Sequence, residues 1–292
     1  MGNIVGNQVL FPAPPSSYDN DLCGLIWDTQ IGTKEPRPFL YIPYPVVEGE
    51  PRVPTVIYLH ANACDIGGME SELREISRVC GCNVLAPEYP GYGIYQSALN
   101  PIETTADGIN LVSEHAVELL MTQGVHPSEM IFFGRSIGTG PATRLAKLFR
   151  SRGWFPYGLI LQSPYVSIHR VVGEYVKIGT WLIGNHWDNK KAFERIGEHV
   201  PILIIHGELD DIISVNHGHE LYTSCSSRKK HLFCPPLATH NEWDLIRDIL
   251  KPVRDFIRRY QTRIGSENSS SNISSEPVRA CSPVRVMNVD LL

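Results

Sequence analysis

A chain of 292 residues, 42% hydrophobic and 20% charged, can bury one large core and lacks the long apolar runs of a membrane-spanning protein. Its net charge of −5, with no block of lysine and arginine, gives no whole-chain attraction to phosphate backbones and argues against nucleic acid as a partner. The seven cysteines are odd in number, scattered, and contain no Cys-x-x-Cys pair, so they read as reduced thiols of a cytoplasmic protein rather than disulfides or a zinc motif.

The chain opens Met1-Gly2-Asn3 without the basic and apolar regions of a signal peptide, so secretion by that route is not expected. Gly2 is a candidate for N-myristoylation, with Gly6 standing where Ser or Thr is preferred. Residues 1–20 form a Pro-rich arm, residues 21–262 the folded domain, and residues 263–292 a Ser- and Asn-rich tail with too little apolar content to join a core. Short apolar pieces at Leu25-Ile26-Trp27 and Phe39-Leu40-Tyr41-Ile42 read as edge strands. After Pro54, apolar runs at 55–60, 83–87, 130–134, 159–162, 202–206 and 231–234 alternate with helical spacing at 70–79, 104–121, 141–149 and 243–260. Runs this continuous need burial on both faces. The alternation therefore predicts an α/β fold, a mostly parallel central sheet with helices on both faces and its site at the carboxyl ends of the strands.

Between Tyr165 and Pro201 about 35 residues separate two core strands, too few for a large lid. Val171, Val172, Tyr175, Val176, Ile178, Trp181, Leu182 and Ile183 make this insert apolar, suited to an acyl groove or equally to a helix packed on the sheet.

Directly after the run at 130–134, and before a helix-compatible segment, stands Gly134-Arg135-Ser136-Ile137-Gly138. A strand-turn-helix with small residues flanking the serine is a nucleophile elbow, which raises the hydroxyl above the sheet edge. The backbone N–H of Ile137, at the helix start, would face a developing oxyanion. A serine hydroxyl needs a histidine to take its proton and a carboxylate to orient that histidine, in the chain order Ser, acid, His. His240, after the last strand, and Asp210, after the run at 202–206, satisfy order and position. Glu208 and Asp211 share the acid loop, and residue chemistry alone separates Asp210 from Asp211 poorly. The loop His60-Ala61-Asn62-Ala63-Cys64-Asp65 would supply the second oxyanion N–H, from Asn62 or Ala63. His60 precedes the nucleophile and reads as a loop-ordering residue, and Cys64 has no elbow and reads as packing. His206 lies at a strand end. The pair His217 and His219 has no third ligand in view, so no metal and no cofactor is assigned.

These segments, with Tyr89-Pro90-Gly91-Tyr92-Gly93 and Ile204-Ile205-His206-Gly207-Glu208-Leu209-Asp210, resemble the alpha/beta hydrolase domain-containing protein 17 family. The start, Gly2 with Phe11-Pro12-Ala13-Pro14-Pro15-Ser16-Ser17-Tyr18, resembles its plant and protist branch. The resemblance implies removal of S-linked palmitate from membrane-attached proteins, with Asp210 as the acid and His240 as the base. It also implies S-acylated protein substrates and peripheral association with the cytoplasmic face of membranes. Animal members carry an N-terminal cysteine cluster for their own palmitoylation, whereas here only Cys23 lies early, so Gly2 would have to carry the lipid. Arg135 stands where many members have Gln, and Ala61 where they have Gly. Two other functions fit the same residues: a small-molecule carboxylesterase or lipase, and a non-catalytic hydrolase-fold scaffold.

Overall fold

A computed structural model describes residues 10–28, 36–45, 52–95, 104–175 and 186–261. Its strands are β1 Leu25–Asp28, β2 Arg37–Ile42, β3 Thr55–Leu59, β4 Asn83–Pro87, β5 Met130–Arg135, β6 Gly158–Gln162, β7 Ile202–Ile205 and β8 Lys230–Phe233. They form one sheet in the order β1-β2-β4-β3-β5-β6-β7-β8. The pairs β1/β2 and β2/β4 are antiparallel and all others parallel. The expected fold is thus present. One expectation fails: β2 is not an edge strand but is paired on both sides, and its Phe39, Leu40 and Ile42 are buried accordingly.

The helices are α1 Ile66–Cys80, α2 Ala106–Thr122, α3 Thr139–Ser151, α4 Ile168–Tyr175, α5 Asn189–Ile196, α6 Val215–Ser224 and α7 Lys251–Tyr260. Both faces of the sheet are covered because successive strand residues are apolar on both sides. Ile57, Leu59 and Phe132 join a core with residues of α2, α3, α5 and α6, whereas Val56, Tyr58, Ile131 and Phe133 join another with α1 and α7. Full burial of a phenylalanine such as Phe132 or Phe133 contributes about 1.5–3 kcal/mol.

The helix ends have local causes. Asp65 caps α1 by accepting from Gly68 N at 2.8 Å, and Gly81 closes it in the left-handed region at φ 70°. The segment 243–260, expected as one helix, instead opens with a π-helical turn at Leu245–Leu250 before α7. The widening lies just ahead of Pro252, whose ring has no N–H to continue the ladder. The short helix α5 carries only three buried apolar side chains, Ala192, Phe193 and Ile196, too little for its spacing to stand out in the sequence.

Strand register sets up the site. Leu59 pairs with Gly134, Arg135 with Gln162, Gln162 with Ile205, and Ile205 with Phe233. The carboxyl ends of β3, β5, β6, β7 and β8 therefore line up, and the loops that follow them share one edge.

The N-terminal arm, where described, is packed against the domain. Phe11 is buried and meets Trp187 edge-on at 6.2 Å, Asn62 Nδ2 donates to Leu10 O at 2.7 Å, and Tyr18 OH donates to Glu88 Oε2 at 2.9 Å. Gly2, the apolar positions Val176, Ile178, Trp181, Leu182 and Ile183, and the tail 263–292 lie outside the described residues. Val171 and Val172 of α4 are partly buried against the core. Among the described residues no helix is long and apolar enough to cross a membrane.

Candidate active site

β5 ends at Arg135, and Ser136 turns the chain into a 3-10 turn, Ser136–Gly138, that leads into α3. Ser136 holds φ 52°, a left-handed conformation that costs a non-glycine residue about 1–2 kcal/mol. A Cβ on Gly134 would collide with the Gly138 carbonyl, and one on Gly138 with the Leu59 carbonyl on β3. The two glycines flanking the serine are therefore required by backbone contacts with each other and with the neighbouring strand.

Ser136 Oγ lies 3.0 Å from His240 Nε2, and both residues are largely buried. His240 Nδ1 lies 2.9 Å from Asp210 Oδ2 and 3.0 Å from Oδ1. With Nδ1–H donated to Asp210, Nε2 is left as the acceptor for the Ser136 hydroxyl. Asp210 is further held by Ile213 N at 2.7 Å and Ile212 N at 3.1 Å, both on Oδ1, and by the Ser163 hydroxyl on Oδ2 at 2.7 Å. His206 Nε2 lies 3.4 Å from Oδ2. Burial alone would raise the Asp210 pKa, but hydrogen bonding to His206 and His240 and the amide of Ile213 outweigh it and hold the carboxyl well below the usual carboxylate range. Residue chemistry alone separates the two adjacent aspartates poorly, but their positions differ. Asp210 meets the histidine, whereas Asp211 and Glu208 are exposed.

Ile137 lies in the turn directly after Ser136, and its carbonyl accepts from Tyr165 OH at 3.1 Å. In the facing loop Ala63 is exposed and takes φ 55°. The Asn62 side chain is occupied elsewhere, donating to Leu10 O and accepting from Tyr92 OH at 2.6 Å. Any contribution of Asn62 to an oxyanion would therefore come from its backbone.

His60 orders the loop rather than acting as a base. It is fully buried, stacks on Tyr89 at 3.7 Å, and sits with Nδ1 2.9 Å from Ala61 O and Nε2 3.1 Å from Glu88 Oε1. Glu88 was not singled out from the sequence. Its Oε2 accepts from Tyr18 OH and from Ile66 N at 3.2 Å, and its Oε1 from Tyr89 N at 3.0 Å, so one buried carboxylate ties the N-terminal arm to both ends of the loop. Ser163 was missed likewise. The available signal for both was position, immediately beyond the carboxyl ends of β4 and β6. Burial pushes the Cys64 thiol up, consistent with packing and not with a thiolate nucleophile. His217 turns inward, its Nδ1 accepting from Val166 N at 3.0 Å and its Nε2 facing Glu174, whereas His219 is exposed.

No protein-family model matches the chain. Among curated proteins it is 32% identical over 232 residues to alpha/beta hydrolase domain-containing protein aho-3 of Caenorhabditis elegans, covering 78% of this chain and 64% of that one. It is 29% identical over 203 residues to alpha/beta hydrolase domain-containing protein 17B of Xenopus laevis, covering 70% and 66%. The chain thus spans slightly under two thirds of the length of these relatives. Solved structures with the same fold include mouse alpha/beta hydrolase domain-containing protein 10, with a TM-score of 0.59 at 14% identity over 80% of this chain and 98% of that one. A soluble variant of Saccharomyces cerevisiae monoglyceride lipase matches with a TM-score of 0.58 at 14% identity over 84% and 99%. Sequence relatives and fold together place the chain among the alpha/beta hydrolases, with similarity to alpha/beta hydrolase domain-containing protein 17B over most of its length.

Proposed function

We propose that this hydrolase is an acyl-protein thioesterase that removes S-palmitoyl groups from membrane-associated proteins. The carrying observation is the hydrogen-bonded series Ser136, His240, Asp210 at the shared edge of the strands. His240 Nε2 takes the Ser136 proton as Oγ attacks the thioester carbonyl, and Asp210 holds the imidazole in the required tautomer. The N–H of Ile137, with one from Asn62 or Ala63, receives the negative oxygen. The C–S bond then breaks as the His240 imidazolium returns its proton to the departing sulfur, leaving an acyl ester on Ser136, a free cysteine thiol and a neutral imidazole. Water, deprotonated by His240, attacks this ester, releases the fatty acid and restores the serine. A thiol of pKa about 8.5 leaves far more easily than an alkoxide, so the demand for protonation by His240 is modest.

The apolar character of the site's rim supports an acyl substrate. Leu209, Ile212 and Leu237 are exposed at 55%, 41% and 69%, and all three lie on the loops that carry Asp210 and His240. Apolar side chains at this exposure suit contact with an acyl chain or a lipid surface. The same features would serve a small-molecule carboxylesterase or lipase, and matched palmitoyl thioester and oxygen-ester substrates separate the two. A higher kcat/KM for the thioester is expected, and the opposite order would favour the esterase. A non-catalytic scaffold would have no use for the three aligned side chains.

Acting on S-acylated membrane proteins would require the enzyme to work at the cytoplasmic face of membranes, and Gly2 is the proposed lipid site. One myristoyl chain binds membranes only marginally, so a divided soluble and membrane distribution is expected. Cell fractionation of Gly2→Ala should move the membrane share to the soluble fraction, and an unchanged share would remove Gly2 as the anchor.

A further inference from the structure

Glu208, His219 and Cys234 come from three different elements, the loop after β7, helix α6 and the end of β8, yet their ligand atoms lie within 4.8 Å of one another. In the sequence His219 stands beside His217 and the two suggest a pair. The fold separates them, because His217 is buried against Val166 and Glu174 while His219 faces a carboxylate and a thiol. None of the three side chains has another hydrogen bond or ion pair among the described residues. Glu208 and His219 are exposed and Cys234 is half-buried, so an ion could reach them from solvent.

We propose that these residues form a three-ligand site for Zn(II), completed by water. A thiolate, an imidazole and one carboxylate are the donor set of zinc, whereas magnesium and calcium require oxygen ligands throughout. With bond lengths of about 2.0–2.3 Å, donors around a tetrahedral ion sit roughly 3.3–3.8 Å apart, so closure demands about an ångström of side-chain rotation at the surface. On binding, the Sγ–H proton passes to solvent and a Zn–S bond forms, with no change in oxidation state. The ion would fasten the segments on either side of the acid loop, since Glu208 precedes Asp210 by two residues and Cys234 precedes His240 by six. Binding should therefore stabilise the fold as well as fill the site.

The test is titration of the full chain with Zn(II) against a chromophoric chelator, paired with Co(II) absorption and thermal unfolding. One equivalent should bind and raise Tm, and Co(II) should give a thiolate charge-transfer band in the near ultraviolet. Cys234→Ser and His219→Ala should each weaken binding roughly tenfold or more and lose the Tm rise, and Glu208→Gln should weaken it less, while Cys64→Ser behaves as wild type. All three positions are at least partly exposed, and unfolding of the metal-free variants checks that they fold. Absence of Zn(II) binding by wild type, or equal binding by wild type, Cys234→Ser and His219→Ala, would overturn the site.

Discussion

Ser163 donates its hydroxyl to Asp210 Oδ2 across 2.7 Å, from a position at the end of β6 where the backbone is held at φ 48°. The bond fixes the face of the carboxylate that is turned away from Oδ1 and its amide donors. Ser163→Ala leaves that buried oxygen with one donor fewer, and a hydrogen bond to a charged group contributes about 1.5–3 kcal/mol. Stability should fall by this order in denaturant unfolding. Turnover should fall roughly tenfold with KM little changed, because the histidine is less firmly oriented while substrate contacts are intact. Wild-type turnover in a folded Ser163→Ala protein would dismiss the role.

Asp210→Asn should cut turnover by about four orders of magnitude, because an amide cannot hold the imidazole in the tautomer that leaves Nε2 free. Asp211→Asn should stay close to wild type. The pH dependence of stability follows from the direction of the Asp210 shift. Its folded pKa lies below the unfolded value of about 3.9, so its ionised form stabilises the fold fully above that pH and the contribution is lost as pH falls toward the folded pKa. The stability gap between wild type and Asp210→Asn should therefore be constant near neutrality and narrow below about pH 4. A gap that widens on acidification would reverse the assigned sign.

Glu88→Gln replaces a buried carboxylate that accepts from Tyr18 OH, Ile66 N and Tyr89 N. An amide turned either way presents N–H to one of these donors, at a cost of about 1–3 kcal/mol. Because the carboxylate anchors the 60–66 loop, kcat should drop more than KM rises. Tyr18→Phe, which removes one of the three bonds, should show the same pattern more weakly. A change in KM alone would assign the cluster to substrate binding instead.

Gly138→Ala drives a methyl group into the carbonyls of Leu59 and His60, both backbone and unable to move independently. Destabilisation of about 3 kcal/mol and loss of activity are expected. Gly153→Ala provides the contrast: its φ is +74°, but nothing lies within 4 Å of an added Cβ. That change should cost only about 1 kcal/mol of backbone strain and leave activity intact. Comparable unfolding midpoints for the two variants would mean that the elbow is not sterically closed.

The parts of this molecule legible in the sequence are those with a local cause. The six apolar runs after Pro54 mark β3 to β8 because each must be buried on both faces, and Gly134 to Gly138 marks the elbow because the turn admits no larger residue. What escaped depends on side chains that meet only through the fold. Residue chemistry alone did not separate Asp210 from Asp211, whereas the fold brings Asp210 to His240, and Ser163 and Glu88 carry no motif. The pairing of β2 on both sides depends on β1, which follows no core pattern of its own. His219 found its neighbours Glu208 and Cys234 only when β7, α6 and β8 were brought side by side.

The central claim, that Ser136 carries the acyl group, is tested most directly by mass spectrometry of protein quenched during turnover of a palmitoyl thioester. One palmitoyl adduct is expected on the peptide containing Ser136, released on further incubation, and absent from Ser136→Ala, which should fold normally yet hydrolyse nothing. An adduct on another residue, or thioester hydrolysis at the wild-type rate by Ser136→Ala, would contradict it.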